Sequence, residues 1–147
     1  MTTKLFAGLA LALSLLAPAF SAPAKLEAGA LQVEQISDKG PALILIPGLA
    51  CGPWAWAETT ERLRGQYSIY LLTLPGFDGR EPKPGTTLES LAGDLATLIK
   101  SRKIRRPALV GHSLGGTLSL AFATEHSNLI AGVVAVDGLP VFPGMAD

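Results

Sequence analysis

One short stretch of this sequence has the residue types and spacing of a nucleophilic site: Gly111-His112-Ser113-Leu114-Gly115-Gly116. In a chain with 16 glycines a bare G-x-S-x-G pattern carries little weight; it gains meaning when it stands between a strand and a helix. There a sharp turn holds the serine in a strained backbone conformation and projects its hydroxyl outward. The flanking positions then have no room for side chains, which accounts for Gly111 and Gly115. A helix beginning just behind the serine aims free N–H groups and its positive dipole end at the same point. The Leu114 N–H is thereby offered to the oxyanion that forms when a hydroxyl adds to a carbonyl. A second donor is expected from Pro47-Gly48-Leu49-Ala50-Cys51-Gly52, the loop after an apolar run, with Leu49 supplying the N–H. Two such donors favour the tetrahedral transition state over the planar substrate by several kcal/mol.

The elements needed to position these groups are legible. Short apolar runs alternate with segments of helical period, the pattern of an α/β domain. Leu31 to Ile36 is a strand candidate whose alternation is too mixed to assign faces. Ala42 to Ile46 is continuously apolar, as a strand covered on both faces must be. Trp54 to Leu63 is expected to be a short helix, and Ser68 to Leu74 a second central strand ending at Pro75-Gly76. Thr86 and Glu89 have capping-box spacing ahead of a helix from Thr87 to about Lys103, in which Leu88, Leu91, Leu95, Leu98 and Ile99 recur at helical intervals. Pro107 to Gly111 is the next buried strand, Ser113 to about Glu125 the next helix, and Leu129 to Val136 the last strand. The motif therefore falls at a strand-to-helix junction.

On these residues the chain resembles the N-terminal half of an α/β-hydrolase. The likeness rests on Ile46-Pro47-Gly48, where the family commonly has His-Gly; on Trp54 and Trp56; on Leu74-Pro75-Gly76-Phe77; and on Gly111 to Gly116. Pro47 is tolerated if only the following amide is used. The resemblance implies a mostly parallel open sheet with helices on both faces. It holds the second to sixth of the usual eight strands in the order 2-4-3-5-6, without the later strands and lid, and Ser113 lies at the carboxyl edge. It further implies a carboxylic ester hydrolase whose serine attacks an ester, thioester or amide carbonyl of a small-molecule acyl substrate and forms an acyl-enzyme. No cofactor or metal is implied.

Such chemistry needs a histidine to take the serine proton and a carboxylate to orient it, in the chain order Ser, acid, His. The sequence has two histidines. His126 lies near the far end of the helix that Ser113 begins, about 13 residues on and, at ~1.5 Å per residue, roughly 20 Å away. His112 precedes the nucleophile and reads as structural. Without a base a serine hydroxyl is a poor nucleophile, so the 147-residue chain is expected to be inactive by itself, a truncated product of a longer hydrolase. The rival reading is a non-catalytic hydrolase-like binding module, or a fragment needing a partner, in which the turn survives as architecture. Cofactor-free peroxidation on the same scaffold is compatible with Ser113; dehalogenation by a carboxylate nucleophile is disfavoured because the position is serine.

Other residues have bland readings beside sharp ones. Asp137, before Gly138, reads first as a turn closing the last strand and second as the acid of the site. Asp78 reads as a turn former and Cys51 as a small packing residue. Trp54 and Trp56 are expected in the core rather than in a pocket. Lys100, Arg102, Lys103, Arg105 and Arg106 fall at a helix C-terminus on the edge opposite Ser113, where positive charge complements the dipole; a solvated face is the first reading, anion or membrane-surface binding the second. The last strand is expected to leave an exposed apolar edge suited to self-association.

Composition and the N-terminus set the outer limits. With 48% apolar and 16% charged residues, the chain is neither disordered nor a coiled coil. Twelve basic residues balance twelve acidic ones, which argues against a nucleic-acid binder. The single cysteine removes any intrachain disulfide framework. Residues 1–24 have the basic start, apolar core and small residues of a secretory signal, with cleavage expected after Ala24 and with Ser21 and Ala19 as the alternative sites. An uncleaved membrane anchor is the weaker reading, because Pro18 and Pro23 interrupt the apolar stretch. The mature domain, 25–147, is then expected to be exported, periplasmic or extracellular, with no stable membrane insertion.

Overall fold

The computed structural model describes residues 25–140. The leader expected over residues 1–24 and the apolar run after Pro140 lie outside the described residues. Six strands form one sheet: β1 (Lys25–Ala28), β2 (Leu31–Gln35), β3 (Ala42–Ile46), β4 (Ser68–Thr73), β5 (Ala108–His112) and β6 (Gly132–Val136). The helices are α1 (Ala57–Leu63), entered through a 3-10 turn over Pro53–Trp56, α2 (Leu88–Ser101) and α3 (Leu114–His126). The sheet order is β1-β2-β4-β3-β5-β6. β4, β3, β5 and β6 run parallel, and the β1–β2 hairpin joins antiparallel through β2 and β4. The expected order 2-4-3-5-6 is found, with a hairpin strand added at its edge.

Period-two alternation divides the central strands between two cores. On β3, Ile44 and Ile46 face one side with Leu72 and Leu74, under Leu91, Leu95, Leu98, Leu118 and Phe122 of α2 and α3. Leu43 and Leu45 face the other side with Ile69 and Leu71, under Trp56 and Leu63 at the ends of the α1 unit. Helices thus cover both faces. In β2, whose faces the alternation left unassigned, Leu31 and Val33 are buried beneath α2. Among the described residues no helix is long and apolar enough to cross a membrane.

Two local expectations are corrected. The capping box of α2 is Thr87 with Ser90, not Thr86 with Glu89: the Thr87 hydroxyl accepts the Ser90 N–H at 3.1 Å and the Ser90 hydroxyl accepts the Thr87 N–H at 2.9 Å. Thr86 is occupied elsewhere, donating its hydroxyl to the Lys83 carbonyl at 2.6 Å to close the preceding turn. The hairpin strand β1 has no counterpart in the sequence reading. It turns through Gly29-Ala30, with positive φ at Gly29 only, the sign pattern of a type II′ turn. Asp94 of α2 clamps that turn by accepting the Ala30 N–H at 2.6 Å. Arg80 ties the hairpin to the loop after β4, donating to the carbonyls of Ala30 and Thr73 at 2.7 and 2.9 Å and pairing with Glu27 at 2.8 Å.

Candidate active site

β5 ends in Gly111-His112, and α3 begins at Leu114, so a single residue makes the turn between them. That residue is Ser113, with φ 50° and ψ −117°. This is a conformation that L-residues avoid, and it persists only where surroundings enforce it. Here they do. A Cβ at Gly111 would overlap the Gly115 carbonyl, and a Cβ at Gly115 would overlap the Ile46 carbonyl. Backbone packs on backbone at both flanking positions, so β3, β5 and the start of α3 approach more closely than any side chain permits. The Ser113 N–H donates to Val136 at the end of β6 at 2.9 Å, and its carbonyl accepts the Thr117 N–H at 3.0 Å. The serine is therefore tied to strand and helix by its main chain, and among the described residues no hydrogen bond engages its hydroxyl.

The loop after β3 lies against this turn. A Cβ added at Gly48 would sit 3.2 Å from Ser113 Cβ and 2.9 Å from His112 Nδ1. The Cys51 N–H donates to the Gly48 carbonyl at 3.1 Å, folding residues 48–51 into a turn with Ala50 left-handed at φ 57°. Among the described residues no acceptor takes the N–H of Leu49 or of Leu114. The Leu49 side chain stands out into solvent, 67% exposed. Both amides named as oxyanion donors thus belong to segments bordering the Ser113 side chain.

The other candidate residues fall in distinct places. Asp137 follows Val136 directly, is exposed, and adopts φ 52°, the left-handed backbone of a strand-closing turn. Asp78 is also left-handed, at φ 53°, and its carboxylate lies over Gly52, joining the loops after β3 and β4. His126 sits at the far end of α3 with its ring centroid 4.9 Å from that of Phe122. His112 packs against Gly48 at the end of β5. Cys51 is half-buried. The tryptophans divide: Trp56 is buried in the α1-side core, whereas Trp54, expected there too, is 63% exposed. Two residues apart at a helix start, they point to opposite sides, so only one can reach the sheet.

A contact that the sequence reading missed completes the site. A Cβ at Gly116 would lie 2.8 Å from the Cα of Gly138, and one at Gly138 would lie 2.7 Å from the Cα of Gly116. The turn after β6 is thereby pressed onto the first turn of α3, and the Thr117 hydroxyl holds it there by donating to the Leu139 carbonyl at 2.8 Å. The signal was present as the second glycine of Gly115-Gly116 and as Asp137-Gly138.

Comparison with known proteins agrees with this architecture. A family model described as the alpha/beta hydrolase family matches residues 43–147. The pimeloyl-[acyl-carrier protein] methyl ester esterase of Vibrio atlanticus is 29% identical over 107 residues, 73% of this chain and 40% of that protein. A fluoroacetate dehalogenase of a Burkholderia species is 25% identical over 113 residues, 73% of this chain and 37% of that protein. The structure of a thermophilic esterase from Thermogutta terrifontis superposes with a TM-score of 0.70 at 25% identity, covering 84% of this chain and 48% of that one. The chain spans about 40% of the length of the curated relatives it matches. With its parallel sheet, its serine turn and a family match running from β3 past β6, the chain belongs to the alpha/beta hydrolase family.

Proposed function

We propose that this chain carries the nucleophile and oxyanion hole of a serine hydrolase acting on a carboxylic ester, thioester or amide. The observation that supports the reading most directly is the left-handed Ser113 between β5 and α3, held by contacts that only glycine allows on both sides. The Ser113 hydroxyl adds to the substrate carbonyl, the N–H groups of Leu49 and Leu114 receive the oxyanion, and the alcohol, thiol or amine departs to leave an acyl-serine that water hydrolyses. An ester substrate is favoured because esterases are among the relatives and structural neighbours. Dehalogenation through a carboxylate nucleophile would need an acid where Ser113 stands.

The proton of Ser113 needs an acceptor. Of the two histidines in the sequence, one lies tilted against Phe122 at the far end of α3 and the other precedes the serine and packs on Gly48. In our reading the base comes from outside these 147 residues, and Asp137 serves as a turn before it serves as an acid. The same observation supports the second reading, a binding module that keeps the turn as architecture. Export through residues 1–24 is part of the proposal.

One labelling experiment tests these points. Cells expressing the chain are fractionated and treated with a serine-directed fluorophosphonate. A labelled band in the exported fraction is expected, absent in Ser113→Ala and weaker than that of a serine hydrolase with a histidine beside its serine by about 10³-fold or more. Labelling that persists in Ser113→Ala ends the nucleophile assignment. No labelling, with a partner retained in fixed ratio on purification, establishes the binding module instead. A labelled product found only inside the cell overturns export.

A further inference from the structure

The opposite edge of the sheet has chemistry of its own. The amino ends of β3 and β4 and the turn between α2 and β5 border an open cleft of about 450 Å³, lined among others by Ser68, Tyr70, Lys103, Arg105 and Arg106. A second hollow of about 290 Å³ adjoins it and shares Lys103, Arg105 and Arg106, adding Lys100 and Asn128. The same basic turn therefore walls both.

The positive charge there is in excess, with Asp38 the nearby acid that acts on Tyr70. Residues 100–106 hold five cations, and the sequence has no Asp or Glu between Asp94 and Glu125. Ion pairs among the described residues engage Lys25, Arg62, Arg64 and Arg80, and none engages this cluster. Arg106 is anchored, donating from Nε and Nη2 to the Ile130 carbonyl at 3.3 Å each. Lys103 and Arg105 are exposed. Burial pushes the Tyr70 hydroxyl above its usual range while the Arg102 charge pulls it back and Asp38 pushes it further up, so the phenol lies within reach of both charges. At neutral pH it is a proton donor facing a cationic turn. Apolar Pro41, Ala42 and Ile104 complete the lining.

Ammonium and guanidinium groups beside hydroxyl donors suit the oxygens of a phosphate, which accepts several charge-assisted hydrogen bonds at once. The larger cleft is open to solvent, and its volume of about 450 Å³ falls within the roughly 300 to 1,000 Å³ of small-molecule sites. We infer that this cleft is a binding site for a phosphate-bearing small molecule, with Lys103 and Arg105 on its phosphate and Pro41, Ala42 and Ile104 against its apolar part. It is separate from the catalytic edge: β5 runs from Ala108 to His112 between them, roughly 16 Å at ~3.3 Å per residue.

The test uses the full chain and three probes: inorganic phosphate, inorganic pyrophosphate, and vesicles of phosphatidylcholine with or without about one-third phosphatidylglycerol. Pyrophosphate is expected to bind more tightly than phosphate in calorimetry at low salt. Lys103→Gln with Arg105→Gln is expected to weaken it by about tenfold or more, whereas Arg62→Gln, which lines neither hollow, leaves it unchanged. If that double variant fails to fold, Lys100→Gln with Arg105→Gln serves in its place, both at exposed positions. Retention on the anionic vesicles without binding of the soluble anions assigns the phosphate to a lipid headgroup and overturns the small-molecule ligand. Absence of binding in every arm, or equal binding by the charge-removing variant, overturns the site.

Discussion

The two ends of β5 both place non-glycine residues in the left-handed region, and they do so for different reasons. At the carboxyl end the residue is Ser113; at the amino end, in the turn from α2, they are Lys103 at φ 54° and Arg106 at φ 40°. Ser113 is confined by main-chain contacts on either side, and neither glycine beside it can carry a Cβ. Lys103 is exposed and confined only as the cap of α2: its N–H donates to the Lys100 carbonyl at 3.1 Å, and the Ile104 N–H reaches Ile99 at 2.9 Å. These bonds form a Schellman cap, where glycine is the usual occupant. The carboxyl edge repeats its theme, with one left-handed non-glycine residue after each parallel strand, Ala50, Asp78, Ser113 and Asp137 following β3, β4, β5 and β6. Strain at that edge is built into the packing of four loops. Strain at the amino edge is local, and at Lys103 a single substitution can remove it.

The largest effect expected from this difference is at Gly115. In Gly115→Ala the new methyl meets the carbonyls of Ile46 and Pro47, both main chain, and neither can move without shifting β3. A loss of at least about 3 kcal/mol is expected, enough to abolish a cooperative thermal transition in a marginal domain. Gly93→Ala is the control, because a Cβ there on exposed α2 meets nothing within 4 Å; it is expected to gain up to about 1 kcal/mol. If Gly115→Ala melts like the parent, the close approach of β3 and α3 is wrong.

Ser113→Gly should move stability the other way. Glycine adopts φ 50° without penalty, and the main-chain bonds to Val136 and Thr117 remain. Relief of about 1 to 3 kcal/mol of strain, offset by the added entropy of an unfolded glycine, leaves a net gain of about 1 kcal/mol, read as a higher melting temperature. A lower one would mean that the serine side chain supports the fold and that the turn is not strained for function.

The sequence was most legible where backbone contact dictates residue type. Gly111 and Gly115 are spaced by the strand-to-helix turn itself, and the central strands β3, β4 and β5 are apolar because helices cover both their faces. Where a choice between equivalent neighbours decides the outcome, composition was silent. Thr86 and Thr87 both carry a hydroxyl able to cap α2, and only the turn at Lys83 determines which one is free. Trp54 and Trp56 are the same residue type, and only the direction of the 3-10 turn separates core from surface. The hairpin strand β1 is four residues long and half exposed, too short and too polar for alternation to reveal it. The Gly116–Gly138 contact joins positions 22 apart in sequence and becomes visible only when β6 is laid beside β5.

The smallest expected effect is at Lys103, and it separates a cap from a binding site. If Lys103 serves α2 alone, Lys103→Gly is simply an improvement: the Schellman bonds use main-chain atoms, glycine takes φ 54° freely, and stability rises by about 0.5 to 1 kcal/mol. If the side chain also serves the cleft, the same variant melts higher and binds pyrophosphate more weakly than the parent. Loss of the favourable charge at the helix C-terminus takes back a few tenths of a kcal/mol, so the thermal gain is expected to be modest. Thermal melts and titrations on one protein sample read both quantities. A gain in stability with affinity untouched would reduce the basic turn to a helix cap; opposite movements of the two would show a cation kept in a backbone conformation that suits it poorly because a ligand needs it there.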